Sequence, residues 1–173
     1  MDNNNLLIIT ASNGENLKLA TRFKEASQKL NHSSEILDLT NYNLPIYNPR
    51  KENKNTIPDQ IESLSKQMKS RSHWLICAPE YNGSIPPILT NTIAWLSINN
   101  EDFRDLFNGR PIAMATFSGG GGMELLLSLR IQLTHLGAQV VGRQLMSNYN
   151  KPAKDESIED LLARLMQMQP LKC

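Results

Sequence analysis

The segment "PEYNGS" (79–84) places a carboxylate, a phenol, an amide and a glycine on one turn between an apolar run and an amphipathic segment. Pro79 ends strand pairing because it has no N–H to donate. Asn82 and Gly83 adopt positive φ at low cost. The backbone amides of this segment, the second turn, can then point outward towards a planar, electron-accepting heterocycle.

Two acidic side chains of the second turn are the weak candidates for a proton donor. Glu80 stands at a strand end beside an apolar run, where a carboxylate needs hydrogen-bond donors or solvent. Tyr81 carries a phenol, although a packed aromatic in an ordinary Asn-Gly turn is the alternative. His135 is a third candidate, but it lies near a helix end, where the dipole accounts for it equally well. We therefore assign no side chain as catalytic acid or base.

The first turn, "TASNGEN" (10–16), precedes a helix that is predicted to start near Asn16. Its small Ser12 and flexible Gly14 leave the helix amides open, and these amides and the helix dipole favour an anion such as a terminal phosphate. Helix capping by Ser and Asn is the alternative. The segment matches neither G-x-G-x-x-G nor the triphosphate loop with its lysine.

The third turn (118–122) consists of Ser118 followed by four glycines. Such a run is entropically costly, and close approach of the backbone to a ligand face is a plausible compensation. A flexible loop without a ligand is the alternative.

Each of the three turns follows an apolar run that is typical of a buried strand, with helical periodicity after it. Strands are predicted over 6–10, 34–39, 73–79, 108–118 and 137–142, and helices over 16–30, from 58 to about 68, from 87, over 123–136 and over 154–169. A long surface loop is predicted between Thr40 and Thr56. Strand and helix alternate five times, which predicts an α/β fold with a parallel sheet and helices on both faces. Ligands of such sheets bind outside the carboxyl ends of the strands, so the three turns should converge on one site.

The composition is that of a globular protein, with 173 residues, 40% hydrophobic, 20% charged and a net charge of +1. We expect one domain over 1–173. No basic stripe predicts nucleic-acid binding, and no apolar run is long enough to predict a membrane span. The N-terminal "MDNNN" lacks a secretory pattern, so a cytoplasmic location is expected. Cys77 and Cys173 have no metal or redox spacing, and we expect no metal.

The segment "PEYNGSIPPILTNTIAW" (79–95) resembles P-E-Y-N-x-S-x-P-x-x-L-K-N-A-I-D-W of the NADPH-dependent FMN reductase family. The similarity continues through "SGGGG" and the pattern LR..L..LG..V between Leu129 and Val140. The resemblance implies a flavodoxin-like three-layer sandwich with five parallel strands in the order 2-1-3-4-5. It also implies non-covalent FMN, NADPH or NADH as electron donor, and a homodimer or homotetramer.

The family's binding roles are carried over position by position. The phosphate-loop role falls on Ser12, Asn13, Gly14, Glu15 and Asn16. The ring-holding role falls on Pro79, Glu80, Tyr81, Asn82 and Gly83. The third group, expected beside the flavin, is Ser118, Gly119 and Gly120.

The resemblance implies hydride transfer from NAD(P)H through FMN to a small acceptor such as a quinone, a flavin, an azo compound or a metal oxyanion. A flavodoxin-like electron carrier without its own NAD(P)H oxidation is the alternative, and a flavin-free member is a third. An iron-sulfur flavoprotein is excluded because the chain lacks the cysteines for a cluster.

Two departures from the family pattern bear on these expectations. Family members often have G-S-x-R-x-x-S in the first turn, whereas "TASNGEN" has no arginine and is closer to the flavodoxin loop T-x-T-G-x-T. Lys18 could supply charge, with an exposed helix lysine as the alternative. Thr90 and Ala94 replace a Lys and an Asp that could pair at a spacing of four. If this helix face forms a dimer contact, the contact is more apolar here.

Overall fold

A computed structural model describes residues 6–51, 57–99 and 101–171. The "MDNNN" segment, on which the expected cytoplasmic location rests, lies outside the described residues, as do 52–56 of the long loop and Cys173. None of the helices in the described ranges combines the length and apolarity that a membrane span requires.

The described strands pair in parallel within one sheet. They are β1 (Leu6–Thr10), β2 (Ser34–Asp38), β3 (His73–Cys77), β4 (Pro111–Phe117), β5 (Gln139–Val140) and β6 (Leu145–Ser147). Their order is β2-β1-β3-β4-β5, and β6 also pairs with β4. The predicted parallel sheet and the order 2-1-3-4-5 are therefore confirmed.

The fifth position of the sheet differs in detail from the prediction of five continuous strands. The start of β4 pairs with β5, and its end, from Ala115 to Phe117, pairs with β6. Both short strands lie on the same side of β4, because β3 occupies the other side. The segment 141–144 between them belongs to neither strand, and Gly142 and Arg143 in it are exposed. The prediction over 137–142 therefore found β5 and missed β6.

Within the described ranges, five α-helices cover the two faces of the sheet. They are α1 (Glu15–Lys29), α2 (Asp59–Lys69), α3 (Pro87–Ile98), α4 (Met123–His135) and α5 (Asp155–Gln167), with short 3-10 turns at Leu39–Asn41 and Pro49–Lys51. The apolar sides of α2, α3 and α4 share one buried cluster, and those of α1 and α5 share a second. Every residue of β1 and β3 is buried, as expected for central strands covered on both faces.

The register of the central strands brings the three turns to one rim. Thr10 of β1 pairs with Cys77 of β3, and Cys77 pairs with Ala115 of β4. The ladder extends one step further, because Ala11 N donates to Cys77 O at 3.1 Å and Ala78 N donates to Ala115 O at 3.2 Å. All three turns therefore leave the sheet at nearly the same level.

Gly137 ends α4 in a conformation that a side chain would not tolerate. Its φ is +85°, and a Cβ there would clash with Asn108 Oδ1. We expect Gly137→Ala to lower the free energy of unfolding by about 1–3 kcal/mol in urea titrations. The control is Gly142→Ala, where a Cβ meets nothing within 4 Å. Equal losses in the two variants would contradict this assignment.

Candidate functional site

The second turn is a two-residue hairpin turn. Tyr81 N donates to Ser84 O at 3.1 Å, and Ser84 N donates to Tyr81 O at 3.0 Å. Asn82 has a φ of 52° and Gly83 a φ of 67°. Positive φ at both central residues is the requirement of a type I′ turn, which Asn-Gly satisfies best. The predicted positive φ at these two residues is confirmed.

Glu80 connects the second turn to the third. Its Oε2 accepts a hydrogen bond from Leu125 N in the first turn of α4 at 3.4 Å. Its Oε1 lies 3.5 Å from the position that a Cβ on Gly120 would take. A carboxylate is favoured at the start of a helix by the free amides and the dipole. The donor that Glu80 needs is therefore supplied by α4.

Asn16 connects the first turn to the third. Its side-chain Nδ2 donates to Phe117 O at 2.9 Å, and its Oδ1 accepts from Phe117 N at 2.8 Å. The residue is only 2% exposed. Both polar atoms of the amide are used by the backbone at the end of β4, so this side chain fixes the position of α1 relative to β4.

Two buried threonines that the sequence analysis did not select also shape the turns. Thr10 Oγ1 donates to Ser12 O at 2.8 Å, which closes the first turn onto the end of β1. Thr116 Oγ1 donates to Ala78 O at 2.7 Å, which ties β4 to the start of the second turn. A hydroxyl residue at the carboxyl end of an otherwise apolar strand is the signal that could have identified both.

The glycines of the third turn have two different roles. Gly122 has a φ of +83°, and a Cβ there would stand 2.5 Å from Thr116 Cγ2. This glycine is therefore needed for the fold itself. At Gly119 a Cβ would meet nothing within 4 Å. Ser118 is buried, and its Oγ accepts from Gly120 N at 3.3 Å, which holds the turn closed.

The predicted site residues differ in exposure. The exposed ones are Asn13, Gly14, Tyr81, Asn82, Gly83, Gly119 and Gly120; the partly buried ones are Ser12, Glu15 and Glu80; the buried ones are Asn16, Pro79 and Ser118. The first and third turns meet through Asn16, and the second and third through Glu80.

The exposed backbone of the three turns fits a planar cofactor with a phosphate tail. At Gly14, Gly83 and Gly119, one glycine on each turn, the space that a Cβ would fill is open. Across the described residues, the amides of 13–16 at the start of α1 and those of Asn82 and Gly83 donate to no protein acceptor. Free amides at a helix start suit a phosphate, and the second and third turns leave room for a ring between them.

The first turn offers this phosphate no free cation. Lys18 Nζ is 2.7 Å from Glu15 Oε1, and the hydrogen bond and the charge of Glu15 raise the pKa of Lys18. With Lys18 paired and no arginine in the segment, the donors available to a phosphate there are neutral backbone amides and the Ser12 hydroxyl.

The cysteine and the histidines of the described residues are poorly placed for chemistry at this rim. Cys77 lies under the second turn, and complete burial raises the pKa of its thiol far above the usual range. The three histidines lie at the opposite rim of the sheet. His32 comes before β2, His73 is the first residue of β3, and His135 is the last residue of α4. His135, a candidate proton donor, is therefore removed from the site. Tyr81, 50% exposed, remains beside it.

The fold and the three joined turns define a flavodoxin-like nucleotide-binding protein, and comparison with known proteins narrows this class. Residues 4–151 match the NADPH-dependent FMN reductase family. The chain is 29% identical over 133 residues to a quinone reductase of Escherichia coli K12, across 76% of this chain and 66% of that enzyme. It is 25% identical over 114 residues to an NADPH azoreductase of Bacillus sp. OY1-2, across 65% and 60% of the two chains.

A solved structure with the same fold is FerB, a flavoenzyme NAD(P)H:(acceptor) oxidoreductase from Paracoccus denitrificans. It superposes with a TM-score of 0.73 at 19% identity, over 96% of this chain and 99% of that one. The chain described here belongs to the NADPH-dependent FMN reductase family. It is accordingly an NAD(P)H-dependent oxidoreductase whose cofactor is FMN.

The role of Asn16 predicts a specific cost when its donor is removed. In Asn16→Asp the carboxylate can still accept from Phe117 N but cannot donate to Phe117 O. We expect a loss of about 2–3 kcal/mol in the free energy of unfolding, because a buried carbonyl loses its partner and faces a charge.

The matched control is Asn148→Asp. Asn148 Oδ1 only accepts, from Asn150 N and Lys151 N, and a carboxylate preserves both bonds. We expect a change within about 0.5 kcal/mol by the same urea titration. If both variants lose the same stability, the donor bond of Asn16 is not the cause.

Proposed function

We propose that this protein is an FMN-dependent NAD(P)H oxidoreductase that reduces small acceptors, with quinones and azo compounds as the first candidates. The observation that carries the proposal is the joining of three backbone-rich turns at one rim by Asn16 and Glu80. The quinone reductase and azoreductase relatives support the choice of acceptor.

Bound FMN would supply the redox chemistry, taking a hydride from the nicotinamide and passing two electrons to the acceptor. The protein's contribution is position and electrostatics. The amides of Asn82 and Gly83 are fixed by the hairpin turn and would donate to the reducible edge of the ring, where negative charge develops. The start of α1 would hold the phosphate through backbone donors.

Donor and acceptor would use the same open face in turn. Tyr81, Asn82 and Gly83 are all exposed, so nothing in the second turn closes the ring face. Proton delivery to the reduced acceptor would come from solvent, with Tyr81 and Glu80 as the nearby acidic side chains. An electron carrier that needs a protein partner is not favoured, because such carriers are typically strongly acidic and this chain has a net charge of +1.

The test of this function is the absorption spectrum of the protein loaded with FMN, recorded anaerobically before and after NADPH. We expect the flavin band to bleach without any partner protein and to return when a quinone or an azo dye is added. Bleaching only in the presence of a separate reductase would favour the carrier, and failure to retain FMN would favour the flavin-free alternative.

We further propose that the protein is a homodimer formed through α3. An apolar cleft of about 510 Å³ lies between α3 and the segment 42–47, and Thr90 and Ala94 line it. Ile46 at its edge is 88% exposed, which is unusual for a large apolar side chain. Thr90 and Ala94 stand there in place of the Lys and Asp of the family pattern, and a second copy of this uncharged face is the partner that matches it.

A charge introduced at Ala94 tests the dimer. We expect Ala94→Arg to convert the dimer to a monomer in light scattering after size exclusion, because the new guanidinium would be buried without a partner. The control is Ala163→Arg on α5, an exposed alanine on the opposite face of the sheet. A dimer that persists in Ala94→Arg would refute an interface on α3.

A further inference from the structure

A second cleft lies beside the third turn, beyond the edge of the sheet. It has a volume of about 490 Å³ and separates the start of α4 from the start of α5. Gly121 of the third turn and Met123 at the start of α4 form one side of it, so the cleft adjoins the third turn. None of the site residues predicted from the sequence lies in it.

The cleft is lined by three basic side chains, Arg143, Lys151 and Lys154. Within the described parts of the chain, neither lysine makes an ion pair. Arg143 is 2.9 Å from Asp160 Oδ2, but the same oxygen is 2.8 Å from Arg164 Nε. One carboxylate is thus shared by two guanidinium groups, and the cleft keeps an excess of positive charge.

The start of α5 adds to this positive field. Lys154 precedes the helix, and Ser157 in its first turn also lines the cleft. Asp155 would oppose an anion there, but it is 2.6 Å from Arg22 on the other side of the helix. Glu156, the second acid of that turn, is exposed and does not line the cleft. Free amides at the start of a helix favour phosphate.

The floor of the cleft is apolar. Leu145, Met146, Pro152 and Ala153 line it between the basic residues. A cleft of this size that combines an apolar floor with a few charged groups suits a nucleotide-sized ligand. None of the described residues that line the cleft is an acid that could hold a metal ion. Basic side chains around an apolar floor suit a ligand that carries a phosphate and a flat ring.

We propose that this cleft binds the adenosine end of NADPH, the donor for which the family is named, and that Lys151 and Lys154 are the residues that distinguish it from NADH, through its 2′-phosphate. The inference rests on the proposed function, in which the nicotinamide reaches the flavin face on the other side of the third turn. The basic residues act in binding and selectivity, and no chemical step is assigned to them.

The direct test is calorimetric titration of the FMN-loaded protein, and of the protein as purified, with adenosine 2′,5′-bisphosphate and with 5′-AMP. The bisphosphate carries the 2′-phosphate but no nicotinamide, so its binding does not depend on turnover. We expect it to bind at least tenfold more tightly than 5′-AMP, and its affinity to fall with added salt. Equal affinity for the two nucleotides would overturn the proposal.

The variant Lys151→Gln/Lys154→Gln locates the binding. We expect the affinity for the bisphosphate to fall at least tenfold and the KM for NADPH to rise in proportion, while the KM for NADH and the kcat stay unchanged. The control Lys66→Gln/Lys69→Gln removes two charges from α2, where both lysines pair with acids. An affinity for the bisphosphate that is unchanged in the cleft variant would also overturn the proposal.

The two proposals fail in different ways. Bleaching by NADPH without selective binding of the bisphosphate would support the proposed reductase activity and contradict adenosine binding in the cleft. Selective binding of the bisphosphate without bleaching would support phosphate binding in the cleft and contradict the proposed reductase activity. The melting temperatures of the variants show whether a loss of binding reflects a loss of fold.

Discussion

The paired hydrogen bonds between the Asn16 side chain and the backbone of Phe117 are the constraint on which the site depends. They join the start of α1 to the end of β4 across β3, in the interior of the protein, where an amide with both atoms satisfied is rigid. The helix start that would hold a phosphate is thereby fixed relative to the turn that would flank a ring. A site assembled from separate loops needs such cross-links to be preorganised.

Glu80 provides the second cross-link, and its chemistry differs from that of Asn16. It is a partly buried carboxylate at the start of α4, where the helix amides compensate its charge. Its role is therefore explained by position, without catalysis. The glycines of the third turn are also explained by position: Gly122 is needed because Thr116 occupies the space of a side chain, whereas at Gly119 that space is open.

The sequence predicted the parts of this structure that depend on local patterns. The apolar runs of β1 and β3, the helices that follow them and the positive φ of Asn82 and Gly83 all follow from residue type and periodicity. The sheet order came from the family resemblance. The first turn was correctly located. The hydrogen bonds of Asn16 to the backbone of Phe117 were not predicted, because the two residues are 101 positions apart and their pairing depends on the assembled sheet.

Two other features of the structure could not be predicted from local sequence patterns, because they too depend on the assembled fold. The fifth strand is split into β5 and β6 because two separate segments, with 141–144 between them, pair with β4. The basic cleft collects Arg143, Lys151 and Lys154, which are unremarkable in the sequence, since charged residues in a loop are usually solvated. Only the positions of α4 and α5 bring them to one cavity.

The central claim is that three turns form one cofactor site. It is tested most directly by recording backbone amide resonances while FMN is titrated into the isotopically labelled protein. The account predicts that amides of all three turns, represented by Glu15, Gly83 and Gly119, shift together and give one dissociation constant. Shifts confined to a single turn, or different dissociation constants for the three, would contradict it.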